Sequence, residues 1–139
     1  AYFRAAMPAA YNDRAEIRQS EPYVQGQTTY STFSPRPGNT RVSWLTGAAA
    51  WAYYSATQYI LGLRPQLEGL RIDPCIPSNW PGFTARRRFR GMTVNIEVVN
   101  PNSVCRGVKS LTLNGKTLPG NFIPAEQLLE NTQVEVVLG

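Results

Sequence analysis

Histidine is absent from the 139 residues, which removes the commonest general base and metal ligand, so no Ser-His-Asp or Cys-His arrangement can form within the chain. Cysteine occurs twice, at Cys75 and Cys105, too few for a disulfide framework and too isolated for the usual zinc spacings. A reducing cytoplasm is the expected compartment, and no metal is expected. Acidic residues are scarce, nine against fourteen Lys and Arg, for a net charge of +5. That balance favours anionic partners and leaves phosphate, phosphorylated sugar and nucleic acid open. Long apolar runs are lacking too. The stretch from Leu45 to Leu63 is broken by Thr46, Gly47, Ser55, Thr57, Gln58 and Gly62, so no membrane span is expected. The first residues, Ala1 to Pro8, have neither an initiator methionine nor the charged-then-apolar layout of a secretion signal. They read as the start of a processed product or of a piece of something longer.

What is present is the composition of a globular protein, 42% hydrophobic and 17% charged. Residues 2–11 read as the end of a helix, with Phe3, Met7 and Ala10 at near-helical spacing and Pro8 marking a break. From Asn12 to Asn39 periodicity is lost, and Ser34-Pro35-Arg36-Pro37-Gly38-Asn39 is a strong turn cluster. An irregular segment of this length is most often functional. Within it, Glu21-Pro22-Tyr23-Val24 is expected to be a short extended piece, because a residue before proline avoids the helical region.

A helix is expected from Ser43 to Leu61, with no charged residue between Arg41 and Arg64. A helix without a charged face should be buried on most sides, yet the chain offers no second long helix to cover it, which points to a larger helical body. At its start, Thr46-Gly47 leaves backbone N–H groups unobstructed, a place where an oxyanion can be held. The structural alternative is that Gly47 merely lets the helix begin close to a neighbour.

After Gly62 and Pro65 the texture turns to short extended runs. Gly69 to Asp73, Phe83 to Arg90, Met92 to Asn100, Gly107 to Leu113, Lys116 to Leu118 and Thr132 to Leu138 are expected strands, and Asn114-Gly115 signals a type I′ hairpin. Ala125 to Glu130 makes at most a short helical turn. The second half therefore reads as an antiparallel sheet or sandwich, with the boundary near residues 62–68. Arg86-Arg87-Arg88-Phe89-Arg90 invites a nucleic-acid reading, but strand alternation splits the arginines between two faces, so none is expected. Asp73-Pro74-Cys75-Ile76-Pro77 carries two prolines and no base beside Cys75, so its expected role is structural.

The pattern resembles the C-terminal end of glycoside hydrolase family 94, the inverting disaccharide phosphorylases. The resemblance runs through Glu21-Pro22-Tyr23-Val24, Trp44-Leu45-Thr46-Gly47 with Ala50-Trp51, and Gln58-Tyr59-Ile60-Leu61-Gly62 with Arg64-Pro65. It continues through Gly69-Leu70-Arg71-Ile72-Asp73-Pro74-Cys75-Ile76-Pro77, Trp80, Phe83, Arg87, Phe89-Arg90-Gly91 and Ile96-Glu97-Val98.

It implies a mixed α and β chain in which residues 1–65 close an (α/α)6 catalytic barrel and residues 66–139 form a small C-terminal antiparallel β-sandwich. It also implies phosphorolysis of a β-glucoside such as cellobiose or a cellodextrin to α-glucose 1-phosphate. Inorganic phosphate is the co-substrate, and no cofactor is called for. Phosphate is already an anionic nucleophile, so the reaction needs an acid but no base to activate water. The family's acid is an upstream aspartate with no match here, so no catalytic residue is assigned. Thr46 and Gly47 match the family's phosphate-binding pair. Glu21, Tyr23 and Gln27 are carried over as substrate contacts, although Gln25 stands where many cellobiose phosphorylases have a second tyrosine. The implied partners are the N-terminal remainder of the enzyme, an oligosaccharide, and a second copy in a homodimer. A non-catalytic glucan-binding β module and a phosphorylase-like domain of a cyclic glucan synthase are the rival readings.

Overall fold

The computed structural model describes residues 2–139; Ala1, with which the first expected domain opens, lies outside them. The chain divides into two compact units, one ending at Tyr54 and the other running Ser55–Gly139.

The first unit begins with helix α1 (Tyr2–Ala6), a 3-10 stretch at Pro8–Arg14 kinked at Tyr11, and helix α2 (Ala15–Arg18). Pro8 opens the 3-10 stretch, where its missing N–H costs no hydrogen bond. Gln19 ends α2 in the left-handed conformation, φ 52°, and its side chain accepts from Asn39 Nδ2 at 2.9 Å. Strands β1 (Gly26–Thr29) and β2 (Thr40–Ser43) pair as an antiparallel ribbon with Thr28 opposite Arg41. The segment from residue 12 to 39, expected to be irregular, thus contains a helix and a strand.

Helix α3 spans Ala48–Tyr54, and a wider π-type stretch follows at Ser55–Ile60. The expected single helix from Ser43 to Leu61 is therefore wrong at its start and in its winding. Ser43 belongs to β2, and the backbone at Val42 and Trp44 lies at φ 54° and 71°, a region incompatible with a right-handed helix. No residue of α3 is buried; Trp51 and Tyr53 are among the most exposed side chains. The apolar character read from sequence is there, but this unit does not cover it.

The second unit holds β3 (Leu63–Pro65), β4 (Gly69–Ile72), β5 (Gly82–Phe89), β6 (Met92–Val99), β7 (Val108–Leu113), β8 (Lys116–Leu118), β9 (Phe122–Pro124) and β10 (Thr132–Leu138). They form a three-stranded sheet ordered β3-β4-β9 and a five-stranded sheet ordered β5-β6-β10-β7-β8. One core joins them: Leu63, Leu70, Ile72 and Ile123 from the smaller sheet meet Val94, Ile96, Val98, Leu111, Val134 and Val136 from the larger. Pairing is antiparallel except that β10 runs parallel to β6, with Glu135 beside Glu97. The expected all-antiparallel sheet is corrected at that point, because the terminal strand inserts between β6 and β7 instead of extending an edge.

Two hairpins are closed by local chemistry. Asn114 and Gly115 lie at φ 46° and 83°, Arg90 and Gly91 at 50° and 85°, the paired positive values of a type I′ turn. The second places Arg90 in a turn rather than on the strand, where its guanidinium donates to the Leu67 carbonyl. Gly62 is required by both conformation and space: its φ is 70°, and a Cβ there would lie 2.1 Å from the Asp73 carbonyl. Asp73 returns its own N–H to Gly62 O at 2.9 Å and pairs with Arg64 at 3.4 Å. That gives Asp73-Pro74-Cys75 a structural setting, and Cys75 bridges to Arg106 as an isolated β-pair. Residues 55–65, expected with the first domain, lie in the second compact unit, and β3 pairs with β4, Leu63 opposite Ile72.

Candidate functional site

Glu21-Pro22-Tyr23-Val24 is a turn rather than an extended piece: Val24 N–H donates to Glu21 C=O at 3.1 Å. Proline's fixed φ suits the first central position of such a turn, which explains the difference. Arg18 grips both ends, donating to the Glu21 carbonyl at 3.1 Å and to the Val24 carbonyl. Val24 is buried while Tyr23 is 71% exposed, so the turn is anchored by one side chain and presents the next.

Trp44 comes to this turn from the end of β2. Its indole N–H donates to Glu21 Oε1 at 3.0 Å, and its ring meets Tyr23 edge-on, centroids 6.1 Å apart at 63°. Trp44 is itself 67% exposed. The Glu21 carboxyl is held below its usual range by its own backbone N–H first, then by the Trp44 indole, with Ser43 and Arg18 adding smaller contributions against a desolvation that opposes them. A carboxylate beside two exposed aromatic rings can accept from sugar hydroxyls while a ring covers an apolar sugar face.

Two residues on, Thr46 Oγ accepts from Ala48 N–H at 3.1 Å, and its own hydroxyl hydrogen is a donor. Gly47 C=O accepts the first helical hydrogen bond, from Trp51 N–H at 3.1 Å. Its φ is not in the left-handed range, and a Cβ there would meet only Trp51 Cδ1, at 4.0 Å. Nothing within the unit demands glycine at this position, in contrast to Gly62.

Of the expected site residues, the structure brings Glu21 and Tyr23 together through Trp44 and places Thr46 and Gly47 at the start of α3. Gln27 is exposed on β1. Trp44 is the contributor that sequence reasoning did not count as a site residue; read as part of a buried helix, its exposed indole was not visible in the periodicity. Among the described residues no group of three or more Cys, Asp or Glu could hold a metal ion, and no helix is long and apolar enough to cross a membrane.

Glu21, Tyr23 and Trp44 thus form one exposed aromatic and acidic cluster, and Thr46-Gly47 at the start of α3 follows Trp44 two residues on. Comparison with known proteins supplies the family. Residues 1–62 match the glycosyl hydrolase 94 superfamily, catalytic domain, and residues 63–105 match the glycosyl hydrolase family 65, C-terminal domain. N,N'-diacetylchitobiose phosphorylase of Vibrio proteolyticus is 45% identical over 138 residues, 99% of this chain and 17% of that protein. Solabiose phosphorylase of Paenibacillus borealis is 38% identical over 104 residues, 75% of this chain and 14% of that protein. Cyclic beta-(1,2)-glucan synthase NdvB of Rhizobium meliloti is 38% identical over 84 residues, 60% of this chain and 3% of that protein. The chain belongs to the glycoside hydrolase 94 family, and it spans 17% of the length of the chitobiose phosphorylase it matches.

Proposed function

We propose that this chain is the C-terminal part of an inverting disaccharide phosphorylase and supplies part of its phosphate and sugar contacts. The observation that carries the reading is the 45% identity to a chitobiose phosphorylase across 99% of the chain. The open glycine at position 47 supports it, because a backbone N–H free of side chain is what close approach by a phosphate oxygen requires. In this reading Thr46 Oγ–H and Gly47 N–H hold two phosphate oxygens, while Glu21, Tyr23 and, more peripherally, Gln27 contact the sugar. A third phosphate oxygen attacks the anomeric carbon from the face opposite the leaving sugar. The glycosidic bond breaks, and the leaving oxygen takes its proton from an acid outside this chain. The product is a sugar 1-phosphate of inverted configuration.

The aromatic face of α3 fits the same proposal: the rest of the enzyme, including its barrel helices, covers it. The chitobiose phosphorylase match makes N,N'-diacetylchitobiose the first substrate to test, before the cellobiose or cellodextrin that the sequence pattern evokes. The glucan synthase match favours a second reading, a phosphorylase-type domain within a glucan-building enzyme. The test is to incubate the enzyme that carries this chain with inorganic phosphate and each of N,N'-diacetylchitobiose, cellobiose and solabiose. Sugar 1-phosphate formation is expected from at least one. Free sugars with no consumption of phosphate would overturn the proposal.

A further inference from the structure

We infer that Trp44 is a positioning residue that aims Glu21 and Tyr23 at the sugar, so that sugar recognition, and not phosphate recognition, depends on its indole N–H. The assignment rests on the phosphorylase reading and goes beyond it by naming a residue that acts through two others. Three observations on one side chain carry it. The indole N–H donates to Glu21 Oε1 at 3.0 Å across 23 residues of sequence, which ties one carboxylate oxygen and restricts the side chain. The ring edge against Tyr23 restrains the phenol, which is 71% exposed and would otherwise be free to rotate. The Trp44 backbone sits at φ 71°, next but one to Val42 at 54°. A bulky side chain and a β-branched one in this region are costly outliers that persist where surrounding structure imposes them, often at binding sites.

Trp44 is also followed, two residues on, by Thr46-Gly47, whose hydrogen bonds run elsewhere. Thr46 and Gly47 are engaged with Ala48 and Trp51 of the helix that follows, so the phosphate arm is held by α3 and the sugar arm by Trp44. Removing the indole N–H should therefore loosen one arm and leave the other.

The experiment is steady-state kinetics of the whole enzyme bearing Trp44→Phe, which keeps a ring and deletes the donor. The expected result is a KM for the disaccharide raised about fivefold, the net worth of one ordinary hydrogen bond. KM for phosphate should move less than twofold. The acid limb of kcat/KM for the disaccharide should shift to higher pH, because Glu21 loses a donor that favours its ionised form. Glu21→Gln leaves Trp44 in place and should raise the sugar KM by itself; Trp44→Phe added to Glu21→Gln should then change it little further. Equal rises in both KM values, an unmoved acid limb, or full additivity of the two substitutions would overturn the assignment. If Trp44→Phe does not fold, Glu21→Gln decides alone: a sugar KM equal to that of the parent enzyme sinks the idea. A parent enzyme that makes no sugar 1-phosphate from any disaccharide refutes the functional reading and takes this assignment with it, whereas an active parent with an unaltered variant refutes only the assignment.

Discussion

The two units are stabilised in different ways. In the second, strands bring apolar side chains from two sheets into one interior, and Leu70, Ile72, Leu111, Ile123 and Leu138 are completely buried. Burial of that kind contributes roughly 1.5–3 kcal/mol for each large aliphatic side chain. Among the described residues the first unit buries little besides Pro8, Val24, Asn39 and Thr40. It is held by hydrogen bonds from side chains to backbone and to each other, Arg18 to the turn at 21–24 and Asn39 to Gln19. The lesson is a division of labour: the unit with its own interior carries no expected site residue, while the unit with the site leaves its aromatic groups exposed. Exposed aromatic surface on this scale marks a place for a ligand or a neighbouring structure.

The sharpest test of that contrast is a core deletion. Ile72→Ala should destabilise the second unit by about 3 kcal/mol, since the residue is fully enclosed and its neighbours cannot all collapse into the space. Urea unfolding of the whole enzyme, followed by fluorescence, would check it, and a loss below about 1 kcal/mol would mean that the interior is looser than drawn.

Asn100 offers a polar counterpart. It is 4% exposed, donates to Trp80 O at 3.0 Å and Val104 O at 2.9 Å, and accepts from Val104 N–H at 3.0 Å. Asn100→Ala should cost about 2 kcal/mol, because it removes three part-buried hydrogen bonds and leaves their backbone groups without this partner. The same unfolding experiment measures it.

In the first unit the expected effect is on function instead. Gly47→Ala should leave the melting temperature nearly unchanged, as its Cβ meets nothing closer than 4.0 Å, and should raise KM for phosphate about tenfold by crowding the anion. A variant with normal phosphate kinetics would show that Gly47 is structural. The smallest effect concerns Glu21. Its carboxyl is depressed in the fold, so its contribution to stability is present above the unfolded carboxyl range and is lost as pH falls through the depressed value. Glu21→Gln should therefore slightly flatten the acid side of the stability profile, measured as melting temperature against pH.

How much of this was legible in advance depended on range. The β6 alternation of Val94, Ile96 and Val98 matches their burial, and the Asn114-Gly115 turn is formed by the residues that favour it. β3 and β9 were not read as strands. Each is three residues long, too short to show a period, and each exists because β4 lies between them. Likewise Glu21 and Tyr23 could be singled out together from their motif, but Trp44 could not be joined to them, because nothing local tells a tryptophan after a strand which carboxylate it will reach.

The amino-acid order by itself determined features that act within a few residues: the Asn114-Gly115 turn, the two-residue alternation of β6, and an uncharged stretch before Arg64 that asks for cover. Only tertiary structure decided that β10 enters parallel to β6 and that Trp44 bonds to Glu21. Turn and strand preferences are settled by sterics and hydrogen bonding within neighbouring residues. A pairing across a long stretch of chain forms only where burial and matching partners outweigh the entropy of closing the loop.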